Sequence, residues 1–205
     1  MSKLQIYNIN LGVRDILGPG YRAVAWLMGC GRGCEGCISP EMWDYNGGDE
    51  VEVAELAEFM LQNNVDGITV SGGEPFDQSA GLAELLKYVK DKGKNTWVFT
   101  GYTLDELRKS DDENITRALQ HIDVLVDGEY KKDQAGIFPY RGSANQNIIY
   151  LTDAIPPIPP DDPGGRIQVV MKGSELMIVG VPPPGFVEKF RNSLQQNGVE
   201  LTEKE

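Results

Sequence analysis

Residues 22–37 read RAVAWLMGCGRGCEGC, an apolar run that leads directly into a glycine-rich loop with three cysteines. The run from Arg22 to Met28 is typical of a buried strand, because apolar residues occupy both of its faces. Cys30, Cys34 and Cys37 follow with a C-x3-C-x2-C spacing, and the chain has no other cysteine. This spacing brings three soft thiolates to one side of a small loop, which suits zinc or an iron–sulfur cluster.

Composition excludes several classes of function. The 205 residues carry 19 Lys and Arg against 31 Asp and Glu, a formal net charge of −12. A protein that neutralises phosphates normally has the opposite sign, so we expect no nucleic-acid partner. An odd, clustered set of cysteines argues against a disulfide scaffold. Because the chain shows neither a signal peptide nor an apolar run of membrane-spanning length, we expect a cytoplasmic protein that does not bind membranes.

The three cysteines leave two kinds of metal site open. A structural zinc site needs four protein ligands, and the sequence offers no obvious fourth one. The only histidine, His121, lies far along the chain in an apolar segment. Three cysteines fit a 4Fe-4S cluster that leaves one iron open to another ligand. Three structural thiols, or a zinc site completed by an aspartate, are the alternatives.

Strand-like and helix-like segments alternate up to about residue 152. The predicted strands are residues 22–28, 67–71, 95–100, 121–126 and 148–152, and the predicted helices are 51–63, about 82–89 and a short one after Thr103. Such alternation predicts a mostly parallel sheet with crossover helices. Thr103 and Glu106 have the spacing of a capping box, which predicts where the short helix begins.

The C-terminal quarter differs in character. Residues 155–165, IPPIPPDDPGG, hold five prolines and two glycines, which neither a helix nor a central strand tolerates. Beyond them, residues 166–172 and 176–179 predict a hairpin with Gly173 and Ser174 in its turn, and residues 186–194 predict a helix. We therefore predict a core domain over 1–154 and, over 155–205, a connector and extension that pack on it.

A second glycine-rich segment, Ser71-Gly72-Gly73-Glu74-Pro75, stands between a predicted strand and the next helix. Ligands bind at this end of the strands in parallel α/β architectures. Gly72 and Gly73 allow the backbone to approach a ligand closely, and Glu74 offers an acceptor for an ammonium group. By itself, the segment is more often a structural turn.

Taken together, the C-x3-C-x2-C loop after one strand and the G-G-E-P turn after the next resemble the radical S-adenosylmethionine superfamily. Gly36 before the third cysteine narrows the resemblance to glycyl-radical-enzyme activating enzymes, above all the anaerobic ribonucleotide reductase type. Four further segments are similar to that family: SPEMWD at 39–44, FTGYTLDEL at 99–107, DVLVDG at 123–128 and RGSANQ at 141–146. The resemblance covers about residues 5–152 and does not include the C-terminal tail.

The resemblance implies a partial (β/α)6-type barrel and a 4Fe-4S cluster held by Cys30, Cys34 and Cys37. The open iron would bind S-adenosylmethionine, and the turn at Gly72, Gly73 and Glu74 would receive its amino group. The implied activity is reductive cleavage of S-adenosylmethionine to a 5′-deoxyadenosyl radical that abstracts hydrogen. The implied partners are a glycyl radical enzyme subunit, on which the radical is installed, and an electron donor such as flavodoxin or ferredoxin.

Five further residues lie where the cofactor is expected. Thr100 and Tyr102 follow a strand, and Asp127 at the end of another would accept the ribose hydroxyls. Arg141 and Asn145 belong to a polar cluster that would bind the carboxylate of S-adenosylmethionine or the protein substrate. Each also has a structural alternative. Thr100 and Tyr102 would shape the loop before a capped helix, Asp127 would belong to an Asp-Gly turn, and Arg141 and Asn145 would belong to an ordinary loop.

Two other functions stay open. The first is a radical S-adenosylmethionine enzyme that modifies a small molecule or peptide, with a purine- or pterin-type substrate as in relatives of carboxy-deazaguanine synthase. The tail favours it, because an added hairpin and helix would close over a substrate. The second is a non-catalytic zinc-binding module built on the three cysteines.

Overall fold

The fold is built on a seven-stranded sheet whose middle strands run parallel. The computed structural model describes residues 2–173 and 175–200. The strands are β1 (Lys3–Arg14), β2 (Tyr21–Leu27), β3 (Asp49–Glu52), β4 (Gly67–Gly72), β5 (Asn95–Phe99), β6 (Val124–Asp127), β7 (Ala135–Phe138), β8 (Arg141–Ser143), β9 (Asn147–Tyr150), β10 (Ile167–Lys172) and β11 (Glu175–Gly180). The helices are α1 (Val53–Leu61), α2 (Ser79–Asp91), α3 (Leu104–Arg108), α4 (Glu113–Leu119) and α5 (Phe186–Gln196).

The strand order of the large sheet is β3-β1-β2-β4-β5-β6-β9. β2, β4, β5 and β6 pair in parallel, so the predicted α/β class with a mostly parallel core is confirmed. Strands β1, β3 and β9 pair antiparallel at the two edges. The sequence analysis does not predict β1 or β3. β1 runs antiparallel because only residues 15–20 join it to β2, too few for a crossover helix.

The two faces of the sheet are covered differently. Ala25 and Leu27 of β2, like Val70 of β4, belong to the main core with the buried residues of α1 and α2. Val24 alternates with them and lies on the opposite face. There it packs against Val179 of β11. Helices therefore cover one face, and part of the C-terminal extension covers the other.

Local chemistry explains where α3 begins and where α2 ends. The Thr103 hydroxyl accepts the Glu106 N–H at 3.2 Å, and the Glu106 carboxylate accepts the Thr103 N–H at 2.6 Å. This reciprocal capping box opens α3 as predicted. Gly93, two residues beyond α2, has a φ of +71°, which an L-residue rarely adopts. The predicted strand at 121–126 begins only at Val124, because the backbone at His121 turns out of α4.

The C-terminal extension contains the predicted hairpin and helix. β10 and β11 pair antiparallel, and Val170 and Met177 on their inner side pack with Val179 against the sheet. Ser174 of the predicted turn lies outside the described residues. Ile155 of the proline-rich segment is buried against Trp97. The division into a core over 1–154 and an extension over 155–205 stays a prediction, as does the role of the extension.

Among the helices of the described residues, none is long and apolar enough to cross a lipid bilayer.

A buried carboxylate stabilises the start of β6. Asp123 is fully buried, and its two oxygens accept the Lys90 ammonium group at 2.7 and 2.9 Å. It also accepts the Thr96 N–H at 2.9 Å and the Thr152 hydroxyl. Burial alone would raise the pKa of Asp123, but Lys90 and these hydrogen bonds outweigh it and hold the pKa below its ordinary value. One side chain thus ties α2, β5 and the segment after β9 together.

We expect Asp123→Asn to lower the free energy of unfolding by about 2 kcal/mol at pH 7, because it leaves Lys90 without its counter-charge. Since the folded-state pKa is depressed, this stabilisation is present above the unfolded pKa of about 3.9 and is lost as the pH falls through the lower folded value. The difference between variant and wild type, measured by urea unfolding, therefore narrows in acid. Asp91→Asn removes an exposed helix pair and should cost about 0.4 kcal/mol or less. Equal losses in the two variants would contradict this account.

Candidate active site

The candidate site lies at the edge of the sheet where the four parallel strands end. The cysteine loop follows β2, the turn at 72–75 follows β4, and residues 100–103 and 127–129 follow β5 and β6. The Gly73 N–H donates to the Leu27 carbonyl at 2.7 Å, and the Thr100 N–H donates to the Val126 carbonyl at 2.9 Å. Neighbouring loops are therefore joined by backbone hydrogen bonds, and this edge forms one continuous surface.

Backbone hydrogen bonds hold the cysteine loop in place at both ends. The Gly29 N–H donates to the Met42 carbonyl at 2.8 Å, and the Cys30 N–H to the Trp43 carbonyl at 3.2 Å. The Gly29 carbonyl in turn accepts the Glu74 N–H at 2.7 Å. This last bond brings the cysteine loop and the glycine turn together, although Gly29 and Glu74 are 45 positions apart in the sequence. The two motifs that carry the resemblance are thus in direct contact.

The three thiols are half-buried and lie close enough to influence one another. Burial raises the pKa of the Cys30 thiol, the Arg32 N–H that it accepts lowers it, and Glu74, Asp77 and Cys37 raise it further. Burial likewise raises the pKa of Cys34. Both thiols interact with Cys37, so the sulfurs share one side of the loop. Soft thiolates gathered around a loop held by backbone hydrogen bonds are the donor set of an iron–sulfur cluster.

Among residues 2–173 and 175–200, no three His, Cys, Asp or Glu side chains lie close enough together to hold a single metal ion. In a 4Fe-4S cluster each thiolate binds a different iron, so its sulfurs are spaced more widely than the ligands of one ion.

Gly72 and Gly73 bring the turn against the end of β2. Gly72 has a φ of +113°, and a Cβ there would lie 2.3 Å from the Leu27 nitrogen. A Cβ on Gly73 would lie 2.2 Å from the Gly29 carbonyl oxygen. No side chain fits at either position without moving the backbone of β2 or of the cysteine loop. The glycines are required by this close approach, and they leave the turn's backbone groups uncovered by side chains.

The Glu74 side chain is bound by protein donors, and its contact with a cofactor stays a prediction. Its carboxylate is fully buried, and Oε1 accepts the Phe76 N–H at 3.0 Å and the Thr100 hydroxyl at 2.8 Å. Oε2 accepts the Gly101 N–H at 2.8 Å. Burial raises the pKa of Glu74 to about 7, although these three hydrogen bonds lower it. Because protein donors occupy both oxygens, the carboxylate joins the loops after β4 and β5.

Thr100 and Tyr102 both lie at this edge, as predicted. Thr100 is buried and binds Glu74, so it supports the turn and is not open to a ligand. The Tyr102 hydroxyl donates to Asp77 at 3.0 Å, and the Tyr45 hydroxyl donates to the other oxygen of Asp77 at 2.5 Å. This hydrogen bond raises the pKa of Tyr45 to about 12. The Arg32 guanidinium lies 4.6 Å from the centre of the Tyr102 ring, in cation–π geometry.

Asp127 is buried at the end of β6, with both oxygens in use. Oδ2 accepts the Leu104 N–H at the start of α3 at 2.8 Å, and Oδ1 accepts the Asn147 amide at 2.9 Å. These bonds fix the end of β6 against α3 and β9. In this arrangement Asp127 orients its neighbours, and contact with ribose hydroxyls stays a prediction.

Arg141 and Asn145 lie on the segment that caps the end of β6. Arg141 donates to the Gln146 carbonyl at 2.7 Å, and the Asn145 amide donates to the Glu129 carbonyl at 2.8 Å. Within the described residues, Arg141 Nε and Asn145 Oδ1 are buried without a hydrogen-bond partner, and so is Arg32 Nε. Buried polar atoms are normally paired. Two donors and an acceptor left unpaired beside this edge fit a polar ligand such as S-adenosylmethionine.

The sequence analysis missed three site residues. Tyr45 and Asp77 meet at the mouth of the site, and the Glu129 carboxylate lies within hydrogen-bonding distance of the Cys34 thiol. Asp77 follows the G-G-E-P turn by two residues, and this nearness is a signal in the sequence that pointed to the site. Tyr45 and Glu129 carry no such signal, because only the fold brings them to the cysteines.

Known proteins resemble this chain over most of its length. A family model described as a 4Fe-4S single cluster domain matches residues 16–149. The anaerobic ribonucleoside-triphosphate reductase-activating protein of Pasteurella multocida is 35% identical over 163 residues, which cover 74% of this chain and 99% of that protein. The protein of the same name from Vibrio cholerae is 34% identical, with the same coverage, and that of Enterobacteria phage T4 is 30% identical over 67% of this chain and 89% of its own.

Among solved structures, the crystal structure of QueE from Escherichia coli aligns with 61% of this chain and 70% of its own, with 13% sequence identity and a TM-score of 0.44.

The family match and the relatives agree with the cysteine loop and the glycine turn described above. A 4Fe-4S cluster and S-adenosylmethionine are the cofactors of these enzymes, so the sequence-based prediction of both is confirmed and zinc is disfavoured. This chain belongs to the radical S-adenosylmethionine superfamily, in the family of anaerobic ribonucleoside-triphosphate reductase-activating proteins.

Proposed function

We propose that this chain cleaves S-adenosylmethionine reductively and uses the resulting radical to install a glycyl radical on a partner reductase. One observation carries the proposal: the Glu74 N–H to Gly29 carbonyl bond joins the glycine turn to the cysteine loop. It sets a cluster-binding loop beside a backbone surface that suits the amino group of the nucleotide. The names of the relatives supply the partner class, an anaerobic ribonucleoside-triphosphate reductase.

The cluster ligands in this proposal are Cys30, Cys34 and Cys37. When bound and reduced, the cluster supplies the electron that converts S-adenosylmethionine to methionine and a 5′-deoxyadenosyl radical. The chain's contribution is to position the reactants and exclude water, as is usual for enzymes that rely on a cofactor. The Arg32 and Tyr130 N–H groups donate to Cys30 and Cys34, and such hydrogen bonds stabilise thiolate ligands.

The nucleotide would lie along the ends of β4, β5 and β6. Its ammonium group would lie at the turn formed by Gly72, Gly73 and Glu74, where the two glycines present no side chain. The unpaired Arg141 Nε suits the carboxylate, and Asn145 Oδ1 accepts a hydroxyl or amine.

The proposed reaction also implies an electron donor and a reducing compartment. An electron donor such as flavodoxin or ferredoxin would reduce the cluster. A reduced iron–sulfur cluster needs a reducing compartment, which supports a cytoplasmic location. The proposed reaction involves neither nucleic acid nor a membrane.

A second candidate, modification of a small molecule or peptide, is favoured by one feature. The hairpin β10–β11 packs against Val13, Leu17 and Val24 and so covers the face of the sheet opposite the helices. A covered face leaves less room for a protein loop, and the family model ends at residue 149, before this tail.

The decisive experiment is anaerobic reconstitution with iron and sulfide, followed by dithionite reduction with S-adenosylmethionine. We expect 5′-deoxyadenosine by chromatography and, after addition of an anaerobic ribonucleotide reductase, a glycyl doublet by electron paramagnetic resonance. 5′-Deoxyadenosine without a doublet would favour the small-molecule candidate. Absence of both from cluster-loaded protein would reject the proposal.

Replacing any one of Cys30, Cys34 and Cys37 by Ala should remove a cluster ligand. We expect each variant to bind well under half the wild-type iron and to form 5′-deoxyadenosine at least 100-fold more slowly, because the electron has no route without the cluster. Iron content and product are measured on the same samples. Ser39→Ala, a change of similar size just after the loop, should keep both. Wild-type product from any cysteine variant would refute the ligand assignment.

The raised pKa of Glu74 predicts that the free energy of unfolding depends on pH. Because its folded pKa of about 7 lies above the unfolded value, the native state holds the extra proton. The protonated carboxyl group therefore makes its full contribution to the free energy of unfolding below about pH 4. This contribution, about 3 kcal/mol, is lost as the pH rises to 7. In urea unfolding of the apoprotein, Glu74→Gln should flatten this decline between pH 5 and 7. Glu55→Gln, at an exposed position on α1, should retain the wild-type slope. An unchanged slope in Glu74→Gln would show that another group is responsible.

A further inference from the structure

One proposed cluster ligand lies beside a carboxylate. The Glu129 carboxylate is within hydrogen-bonding distance of the Cys34 thiol, and the Tyr130 N–H donates to the same sulfur. Glu129 therefore places a carboxylate beside the loop that would hold the cluster. Such a charge beside a metal ligand calls for a nearby cation.

That cation is Arg32, which lies within the cysteine loop itself. Its guanidinium Nη2 is 3.9 Å from the Glu129 carboxylate, and it stacks over the Tyr102 ring. The side chain also lies flat on Gly101, where a Cβ would come within 2.3 Å of the Arg32 Cδ. Its position is therefore fixed by packing, and four-fifths of its surface is buried. Among the described residues, no second ion pair to Glu129 is found.

The proposal rests on the cluster assigned above. We propose that Glu129 and Arg32 form a pair of opposite charges that sets the reduction potential of the 4Fe-4S cluster. Net charge, hydrogen bonds to the sulfurs and exposure set the potentials of such clusters. A carboxylate opposes the arrival of an electron and lowers the potential, whereas a guanidinium favours it and raises the potential.

The two opposite charges would meet two requirements on the reduction potential of the cluster. A low potential gives the reduced cluster enough driving force to cleave a sulfonium, but a cluster of very low potential is hard for an electron donor to reduce. Asp77 and Glu74 add further negative potential from the side of Cys30. Lys132 is engaged with Glu35 in an exposed pair, so it offsets little of this potential. Arg32, whose side chain is four-fifths buried, supplies a positive charge that keeps the reduction potential within reach of an electron donor.

The test is a redox titration of the reconstituted protein, followed by the electron paramagnetic resonance of the reduced cluster. At a fixed poise, Glu129→Gln should raise the ratio of reduced to oxidised cluster about tenfold, which is 59 mV for one electron. Arg32→Gln should lower it by a similar factor. Both variants keep the Arg32 and Tyr130 backbone N–H groups, so only the side-chain charge changes. Arg32→Lys should restore most of the wild-type ratio.

Glu55→Gln on α1, which makes the same change in net charge away from the site, should leave the ratio unchanged. Both shifts should shrink at high salt, because Glu129 is 43% exposed. Opposite shifts would not follow from a loss of packing alone, so they support the charge pair. Shifts of the same sign, no shift, or an equal shift in Glu55→Gln would overturn it. A wild-type protein that binds no cluster would instead refute the proposed function.

Discussion

The site depends on a buried carboxylate. Glu74 is fully enclosed, and its three hydrogen bonds hold the loops after β4 and β5 together. Its own N–H holds Gly29, one residue before the first cysteine. A buried carboxyl group without these donors would cost several kcal/mol, so the loops must adopt the one arrangement that satisfies it. This constraint positions the cysteine loop, the glycine turn and the Tyr102 segment at once.

The glycines make that arrangement possible. At Gly72 and Gly73 a side chain would overlap the backbone of β2 or of the cysteine loop, so the close approach needs both. The N–H groups of Gly73 and Glu74 use the same close approach, because they donate to the Leu27 and Gly29 carbonyls. The rest of the sheet has only to hold β2 and β4 in register, which their parallel pairing and the buried residues of α1 and α2 achieve.

How far the sequence predicts this structure depends on the range of the interaction. The capping box at Thr103 and the mostly parallel sheet follow from local patterns, and both are confirmed. β1 escapes prediction because its residues mix polar and apolar types, and its strand character comes from pairing with β2. Tyr45 and Glu129 reach the cysteines only through the fold. The buried role of the Glu74 carboxylate could not be predicted either, since a motif does not show which partners will satisfy it.

The electrostatics of the edge connect these parts. Asp77 and Glu129 lie near the thiols, and the fully buried Glu74 has a pKa near neutrality, so its charge depends on what binds. S-adenosylmethionine carries a sulfonium and an ammonium group against one carboxylate, so it arrives as a net cation. Its positive charge would favour the ionised form of Glu74. The carboxylate and the cation would then offset each other, so the charge around the cluster would change little when the substrate binds.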